Sequence, residues 1–255
     1  MWGLRHKESG EIRAFFMHCP KTSGTRILRY VSKTYGDEYE FKAIDTMYAE
    51  DSVLQRSIGE RQLILPKSPV ENHSHLTLGQ AFHMYPNLKS YIERKNIDVF
   101  TMVRNPYDRF VSCVRFIPNL MISDFDNLGQ SAVDRLSLND FNYYYTTLAL
   151  QPQYLYSYAD ESDTKPYARI IHLEKVTGTK YEVTNGIEVD FTEKTWTNEH
   201  ARQEISENTR HVPYWIPKFE LDEGTRKFVE WFYAEDFKRI AGIAHEEKKP
   251  IVIVV

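Results

Sequence analysis

Cysteine is scarce in this chain of 255 residues, which contains only Cys19 and Cys113. The two lie far apart in the sequence and belong to no C-x-x-C motif or Cys/His cluster. This usage excludes the disulfide framework of small secreted domains and offers no zinc-ligand spacing. We therefore expect a protein of a reducing compartment that needs neither a disulfide nor a metal ion.

Long apolar runs and an excess of positive charge are absent as well. No segment approaches the roughly 18 apolar residues of a membrane helix, and the N-terminal sequence MWGLRHKESGEIR lacks the apolar core of a signal peptide. With 32 Lys and Arg against 36 Asp and Glu, the net charge of −4 gives no overall positive field that would attract nucleic acid. We expect a cytoplasmic protein with no integral membrane segment and no nucleic-acid partner, in which any anion site is local.

The hydrophobic pattern alternates between strands and helices. With 42% hydrophobic and 27% charged residues, and no repeat or linker, the chain is expected to form a single domain over 1–255. Strands are predicted over 13–19, 62–65, 98–103 and 168–173, helices over 24–35, 88–95, 138–150, 222–240 and from 107 onward, and a hairpin with an Asn-Gly turn near 179–192. This order predicts an α/β fold with a P-loop-like, three-layer architecture, in which a central, mostly parallel sheet is flanked by helices.

The loop PKTSGT lies between the first predicted strand and a helix, where open parallel sheets bind ligands. Main-chain N–H groups, the helix dipole and hydroxyl groups would bind an anion there, and Lys21 adds a positive charge. The order G-x-x-x-x-G-K-[ST] of nucleotide triphosphatases is missing, because the lysine precedes the glycine. The alternative is an ordinary helix cap with a solvated lysine. The residues of this candidate site are Pro20, Lys21, Thr22, Ser23, Gly24 and Thr25.

The segment VRNPYDRFVS, 103–112, ends a later strand and supplies a second candidate anion site. Arg104 stands at the strand end, where its planar guanidinium can bind a phosphate through two hydrogen bonds. Ser112, two turns into the following helix, lies on the side that faces the strand. The alternative for Arg104 and Arg109 is surface ion pairing with Asp108 and other acids. Two such sites on one sheet weaken that alternative.

The segments HCPKTSGTRIL and FTMVRNPYDRFVSCV resemble the 5′-phosphosulfate and 3′-phosphate motifs of sulfotransferases that use 3′-phosphoadenosine 5′-phosphosulfate (PAPS). The likeness is greatest to the carbohydrate branch, including the heparan sulfate 2-O-sulfotransferases, whose motifs read PKTGGT or similar and R-[DN]-P-[FY]-x-R-x-x-S. Ser23 departs from the glycine of many members. Weaker likeness continues through QPQYLY, RIIHLEKV and YAEDFKRIAG, so that the resemblance covers most of the chain.

The resemblance implies a sulfotransferase that transfers a sulfuryl group from PAPS to a hydroxyl acceptor, with no metal ion. It places the loop from Lys21 to Thr25 around the sulfonate and 5′-phosphate. It places Arg104 and Ser112 on the 3′-phosphate. A C-terminal loop closes over the nucleotide in many members, and Arg210 with His211 could form that loop here.

The resemblance also indicates His73 and His75 in NHSH, because heparan sulfate 2-O-sulfotransferases carry an H-x-H pair between the two motifs. A strand would put both imidazoles on one face, and either could accept the proton of the acceptor hydroxyl. We favour His75 as the catalytic base, with His73 second and Glu71 next, and assign Lys21 to charge stabilisation. Zinc binding by the two histidines is the competing interpretation, and it lacks a third ligand nearby.

The acceptor is expected to be a neutral or weakly charged saccharide or glycolipid headgroup in a bacterial or virus-infected cytoplasm. The net negative charge is the reason, since an enzyme that binds a polyanionic glycan needs a basic groove. Aromatic rings at helical spacing usually pack in the core. A sugar-stacking surface could still be formed by Tyr143, Tyr144, Tyr145, Tyr154, Tyr156 and Tyr158. Two other functions stay open, a P-loop kinase of a small molecule and a non-catalytic protein that binds PAPS or another nucleotide, as does the oligomeric state.

Overall fold

The computed structural model describes residues 1–50, 75–116, 150–192 and 221–240 of the chain. Within these ranges a five-stranded sheet has the strand order β3-β1-β2-β4-β5. The strands are β1 Trp2–His6, β2 Ile12–Met17, β3 Tyr39–Ala43, β4 Asp98–Val103 and β5 Arg169–His172.

The sheet is mixed but mostly parallel. β2 pairs in parallel with β4, and β4 pairs in parallel with β5. β1 is antiparallel to both of its neighbours, β2 and β3, so it alone points against the other four strands. The predicted α/β class and the mostly parallel central sheet are confirmed.

The predicted helices over 24–35 and 88–95, and the one from 107 onward, are present, whereas the helices over 44–50, 78–84 and 173–176 were not expected from the sequence. The predicted helix over 222–240 is two helices, because the chain breaks at Tyr233. A short 3₁₀ helix spans Gln153–Tyr156. The α-helices are α1 Gly24–Thr34, α2 Ile44–Glu50, α3 Leu78–Met84, α4 Leu88–Lys95, α5 Pro106–Phe116, α6 Leu173–Val176, α7 Glu223–Phe232 and α8 Ala234–Arg239.

Side chains of β2 alternate between two core clusters on opposite faces of the sheet, as the two-residue period of a strand requires. Phe15 and Met17 pack in a cluster that contains residues of α2, α3 and α4. Ala14 and Phe16 pack in a second cluster, which contains residues of α1. Because both faces are covered, β2 is apolar along nearly its whole length.

The predicted hairpin is present as β6 Lys180–Thr184 and β7 Ile187–Asp190, which form a separate two-stranded sheet. Its turn contains Gly186 with φ of +79°, a conformation that favours glycine. Val183 and Val189 of the hairpin belong to the same core cluster as α1. The hairpin therefore covers part of the α1 face of the sheet.

Two strands, β1 and β3, were not expected from the sequence. The predicted strand over 62–65 lies outside the described ranges, as does the predicted helix over 138–150 except for Leu150. None of the helices in the part of the chain described here is both long and apolar enough to cross a membrane.

Candidate functional site

The two candidate anion loops lie side by side at the end of the sheet where the carboxyl termini of β2 and β4 meet. β2 and β4 are adjacent and parallel, and Met17 pairs with Thr101 near their carboxyl ends. The hydroxyl of Thr101 also donates to the carbonyl of Met17 at 2.8 Å. The loop that follows β2 and the one that follows β4 therefore begin at the same edge, where α/β proteins bind ligands.

The first loop has an unusual main-chain conformation. Lys21 and Ser23 both adopt the left-handed region, with φ of 65° and 68°, which non-glycine residues rarely occupy. Thr22 between them is fully buried, and its hydroxyl donates to the carbonyl of Cys19 at 2.8 Å. Such alternation makes successive N–H groups converge into an anion-binding concavity. The side chain of Ser23, the N-cap residue of α1, makes no capping hydrogen bond within the described part of the chain.

Lys21 is partly buried in this loop. The pKa of its ammonium is lowered from 10.5 to about 8, mainly by burial, and the positive charge of Arg104 contributes in the same direction. The charges at the ends of β2 and β4 therefore lie close enough to repel each other, so the two predicted sites are neighbours. A fully solvated capping lysine, the alternative from the sequence, does not fit this environment.

Gly24 is required by close packing against His18. A Cβ atom at position 24 would overlap Cδ2 and Nε2 of the His18 imidazole. His18 is 7% exposed, stacks on Phe16 with ring centroids 5.4 Å apart, and its Nδ1 has no hydrogen-bond partner among the described residues. Six other buried polar atoms among the described residues also lack a partner, so this feature of His18 does not by itself mark a functional site.

His75 lies against the same histidine. Its Nδ1 is 3.0 Å from the main-chain oxygen of His18, and the two ring centroids are 4.5 Å apart. Burial lowers the pKa of the His75 imidazole below 6.5. His75 does not lie in a strand, as its predicted geometry required, but two residues before Thr77, the N-cap of α3. His75 therefore contacts a residue just before the first anion loop from the segment before α3, and not from a strand.

The second loop is held through its main chain. The N–H of Arg104 donates to Oε1 of Gln153, and Nε2 of Gln153 donates to the carbonyl of Arg104, both at 2.7 Å. Both side chains of the predicted 3′-phosphate site, Arg104 and Ser112, are partly exposed. The main chain of Arg104 is therefore fixed at the strand end, while its side chain stays partly exposed.

Arg109 is a buried residue, and the surface ion pair that was its alternative interpretation is wrong. It is 1% exposed, and its Nε donates to the carbonyl of Pro20 at 3.0 Å. Its guanidinium also lies 5.7 Å from the centroid of the Tyr233 ring. Arg109 on α5 thus stabilises the first loop through a hydrogen bond to its main chain. An arginine beside Asp108 gives no sequence signal for this role.

Other predicted site residues fall elsewhere. The tyrosine-rich surface is wrong for Tyr154, Tyr156 and Tyr158, which are at most 8% exposed and cannot stack on a sugar. Among the residues that the structure describes, no group of three His, Cys, Asp or Glu side chains is arranged to hold a metal ion. Predicted residues that lie outside the described ranges are His73, Glu71, Arg210, His211, Tyr143, Tyr144 and Tyr145.

Comparison of the chain with known protein families, with curated proteins and with solved structures gives no match.

Proposed function

We propose that this protein is a sulfotransferase that transfers a sulfuryl group from PAPS to a hydroxyl acceptor, with the P-loop-like, three-layer fold expected of that class. The observation that carries the proposal is the juxtaposition of Lys21 and Arg104 at the carboxyl ends of adjacent parallel strands, close enough for their charges to interact. Two cationic loops at one sheet edge suit a nucleotide with anionic groups at both the 5′ and the 3′ positions.

The first loop is assigned to the 5′-phosphosulfate. The left-handed conformations of Lys21 and Ser23 and the uncapped start of α1 support this assignment, because both favour main-chain binding of an anion. Arg104 and Ser112 are assigned to the 3′-phosphate. Arg210 would contribute from the C-terminal half, as the sequence resemblance implies.

His75 is assigned as the catalytic base. A carbonyl oxygen can only accept, so the contact with His18 fixes the proton on Nδ1 of His75 and leaves Nε2 as the basic atom. In the reaction, Nε2 accepts the hydroxyl proton while the acceptor oxygen bonds to sulfur. The bond from sulfur to the bridging oxygen breaks, and adenosine 3′,5′-bisphosphate (PAP) leaves with its charge stabilised by Lys21.

The acceptor is assigned to the neutral or weakly charged saccharides. The net charge of −4 supports this class over polyanionic glycans. The burial of Tyr154, Tyr156 and Tyr158 removes them as the sugar-binding surface, so the acceptor must be bound by other residues.

The test is a panel of glycans, glycolipid headgroups and small alcohols incubated with radiolabelled PAPS. We expect transfer to a neutral saccharide, loss of transfer in Lys21→Ala, and normal transfer in Lys33→Ala, an exposed lysine in the last turn of α1. PAP binding without transfer to any acceptor would indicate a non-catalytic nucleotide-binding protein. Phosphorylation of a panel member with ATP and Mg²⁺ would indicate a kinase. Rapid transfer to heparan or chondroitin that falls steeply with salt would contradict the acceptor class.

A further inference from the structure

One buried network, built by elements outside the sheet, connects the main chains of the two anion loops. Gln153, the first residue of the 3₁₀ helix, is fully buried. It accepts from the N–H of Arg104 and donates to the carbonyl of the same residue, each at 2.7 Å. One side-chain amide thereby pairs both main-chain groups of Arg104, as a neighbouring strand would.

Asp236 on α8 holds Gln153 in place. This carboxylate is fully buried and accepts from the main-chain N–H groups of Gln153 at 2.9 Å and Tyr154 at 2.8 Å. The acid thus caps the N-terminus of the 3₁₀ helix, a position where negative charge is stabilised. The position of Gln153 is therefore set by α8 as well as by its own helix.

The same carboxylate connects to the first loop. Asp236 and Arg109 attract each other electrostatically, and Arg109 donates from Nε to the carbonyl of Pro20 at 3.0 Å. Hydrogen bonds therefore join Pro20 to Arg109 and join Asp236 to Gln153 and Gln153 to Arg104, and the electrostatic attraction between Arg109 and Asp236 links the two halves. All three connecting side chains are at most 1% exposed, so water competes little for these interactions.

We propose that Gln153 is a specificity-determining positioning residue, which fixes Arg104 at a set distance from the first loop and so makes the site select nucleotides with a 3′-phosphate. The inference rests on the proposed function. Fixing the main chain of Arg104 before binding reduces the entropy lost when its guanidinium binds a phosphate. Without the amide, the N–H and carbonyl of Arg104 lose their partner and the loop is expected to relax.

The test compares two affinities, measured by calorimetry, for PAP and for adenosine 5′-phosphate. The ratio is the dissociation constant of adenosine 5′-phosphate divided by that of PAP, which measures the preference for PAP. In Gln153→Ala we expect this ratio to fall about tenfold or more, because PAP binding weakens while binding of the 5′-phosphate is kept. Should Gln153→Ala fail to fold, Gln153→Asn retains the amide but is one methylene too short to bridge both groups. The same fall in the ratio is expected for it.

Gln80→Ala is the matched control. Gln80 is also a glutamine that accepts from a main-chain N–H, that of Thr77 at 2.9 Å, in the capping box of α3. Its loss should lower the melting temperature and leave the ratio unchanged, so general destabilisation does not mimic the expected result.

The outcomes separate the two proposals. A wild-type protein that prefers PAP, with an unchanged ratio in the folded Gln153 variants, overturns the role of Gln153 alone. A wild-type protein that does not bind PAP overturns both proposals. Preference for PAP that is lost with Gln153, in a protein that transfers no sulfate, supports the specificity role and overturns the catalytic one.

Discussion

Nδ1 of His75 donates a hydrogen bond to the main-chain oxygen of His18 across 3.0 Å, which ties a residue before α3 to the first residue after β2. The contact fixes the tautomer of His75 and the orientation of its ring. Because burial lowers the pKa of this imidazole below 6.5, the neutral, basic form dominates at neutral pH. The geometry therefore favours His75 as a proton acceptor.

Replacing His75 with Ala should reduce turnover by about 10² to 10⁴-fold, the range for a general base, and leave PAP affinity unchanged. The wild-type rate should fall on acidification only below pH 6.5, as His75 takes up a proton, and this limb should be missing from the variant. Steady-state rates and calorimetry measure the two effects. His83→Ala, an exposed histidine of α3, is the control and should behave as wild type. Normal turnover in His75→Ala, His73→Ala and the double variant would move the search for the base to Glu71.

Binding of PAP should be accompanied by proton uptake at pH 8 to 9. The pKa of Lys21 without ligand is about 8, and a bound anion raises it. Affinity should therefore decrease by up to about tenfold per pH unit above this value. The free energy of unfolding of the ligand-free protein should instead rise as the pH increases from 8 to 10.5. In this range Lys21 holds its proton in the unfolded state and has lost it in the folded state.

The proton uptake of Lys21 is measurable by calorimetry in buffers of different ionisation enthalpy. Lys21→Ala should abolish it and reduce turnover by orders of magnitude, whereas Lys33→Ala should do neither. An enthalpy that is independent of the buffer in the wild-type protein would refute the assignment of Lys21 to the anion.

Gly24→Ala should impair both stability and catalysis. The added methyl overlaps the His18 imidazole, which in turn contacts His75, so the loop must shift. We expect a loss of about 1 to 3 kcal/mol in the free energy of unfolding, together with reduced turnover. Gly224→Ala is the control, because a Cβ there meets only Asp222 Oδ1 at an ordinary 3.5 Å. If urea denaturation shows equal stability for the two variants, the packing argument is wrong.

Ser23→Gly should stabilise the protein and preserve PAP binding. Ser23 has φ of 68° and makes no capping hydrogen bond through its side chain, so glycine relieves strain without losing a helix cap. The expected gain is about 1 kcal/mol, seen as a higher urea midpoint. Asn96→Gly, at φ of 51° beyond the end of α4, should give a smaller gain away from the loop, because asparagine tolerates the left-handed conformation better than serine. Lost PAP affinity in Ser23→Gly would mean that the hydroxyl, and not the main chain, binds the anion.

The sequence predicts the central elements of the fold well, because strands buried on both faces and amphipathic helices have strong patterns. The predicted bounds of β4 and α4 agree with the structure. β3 is an edge strand without a fully buried residue, and only two residues of β1 are buried, so their patterns are weak. The break at Tyr233 depends on tertiary contacts, including the hydrogen bond from its hydroxyl to the carbonyl of Leu150.

The loops of the candidate site could be predicted, whereas the side chains that support them could not. His18 contacts a residue 57 positions away, and Gln153 contacts Arg104 across 49 positions, so neither relationship has a local pattern. Asp236 carried a usable signal, because it shares the buried stripe of Val229, Tyr233 and Ile240. A carboxylate on such a stripe predicts a buried hydrogen-bonding partner.

Titration of the wild-type protein and of Arg104→Ala with PAP and with adenosine 5′-phosphate tests the central claim, that the two strand ends form one site for a nucleotide phosphorylated at both positions. We expect the wild-type protein to bind PAP about 10- to 100-fold more tightly, and Arg104→Ala to bind both nucleotides equally. Arg94→Ala, an exposed arginine of α4, should retain the wild-type preference. Equal affinity of the wild-type protein for the two nucleotides, or no binding of PAP, would contradict the account.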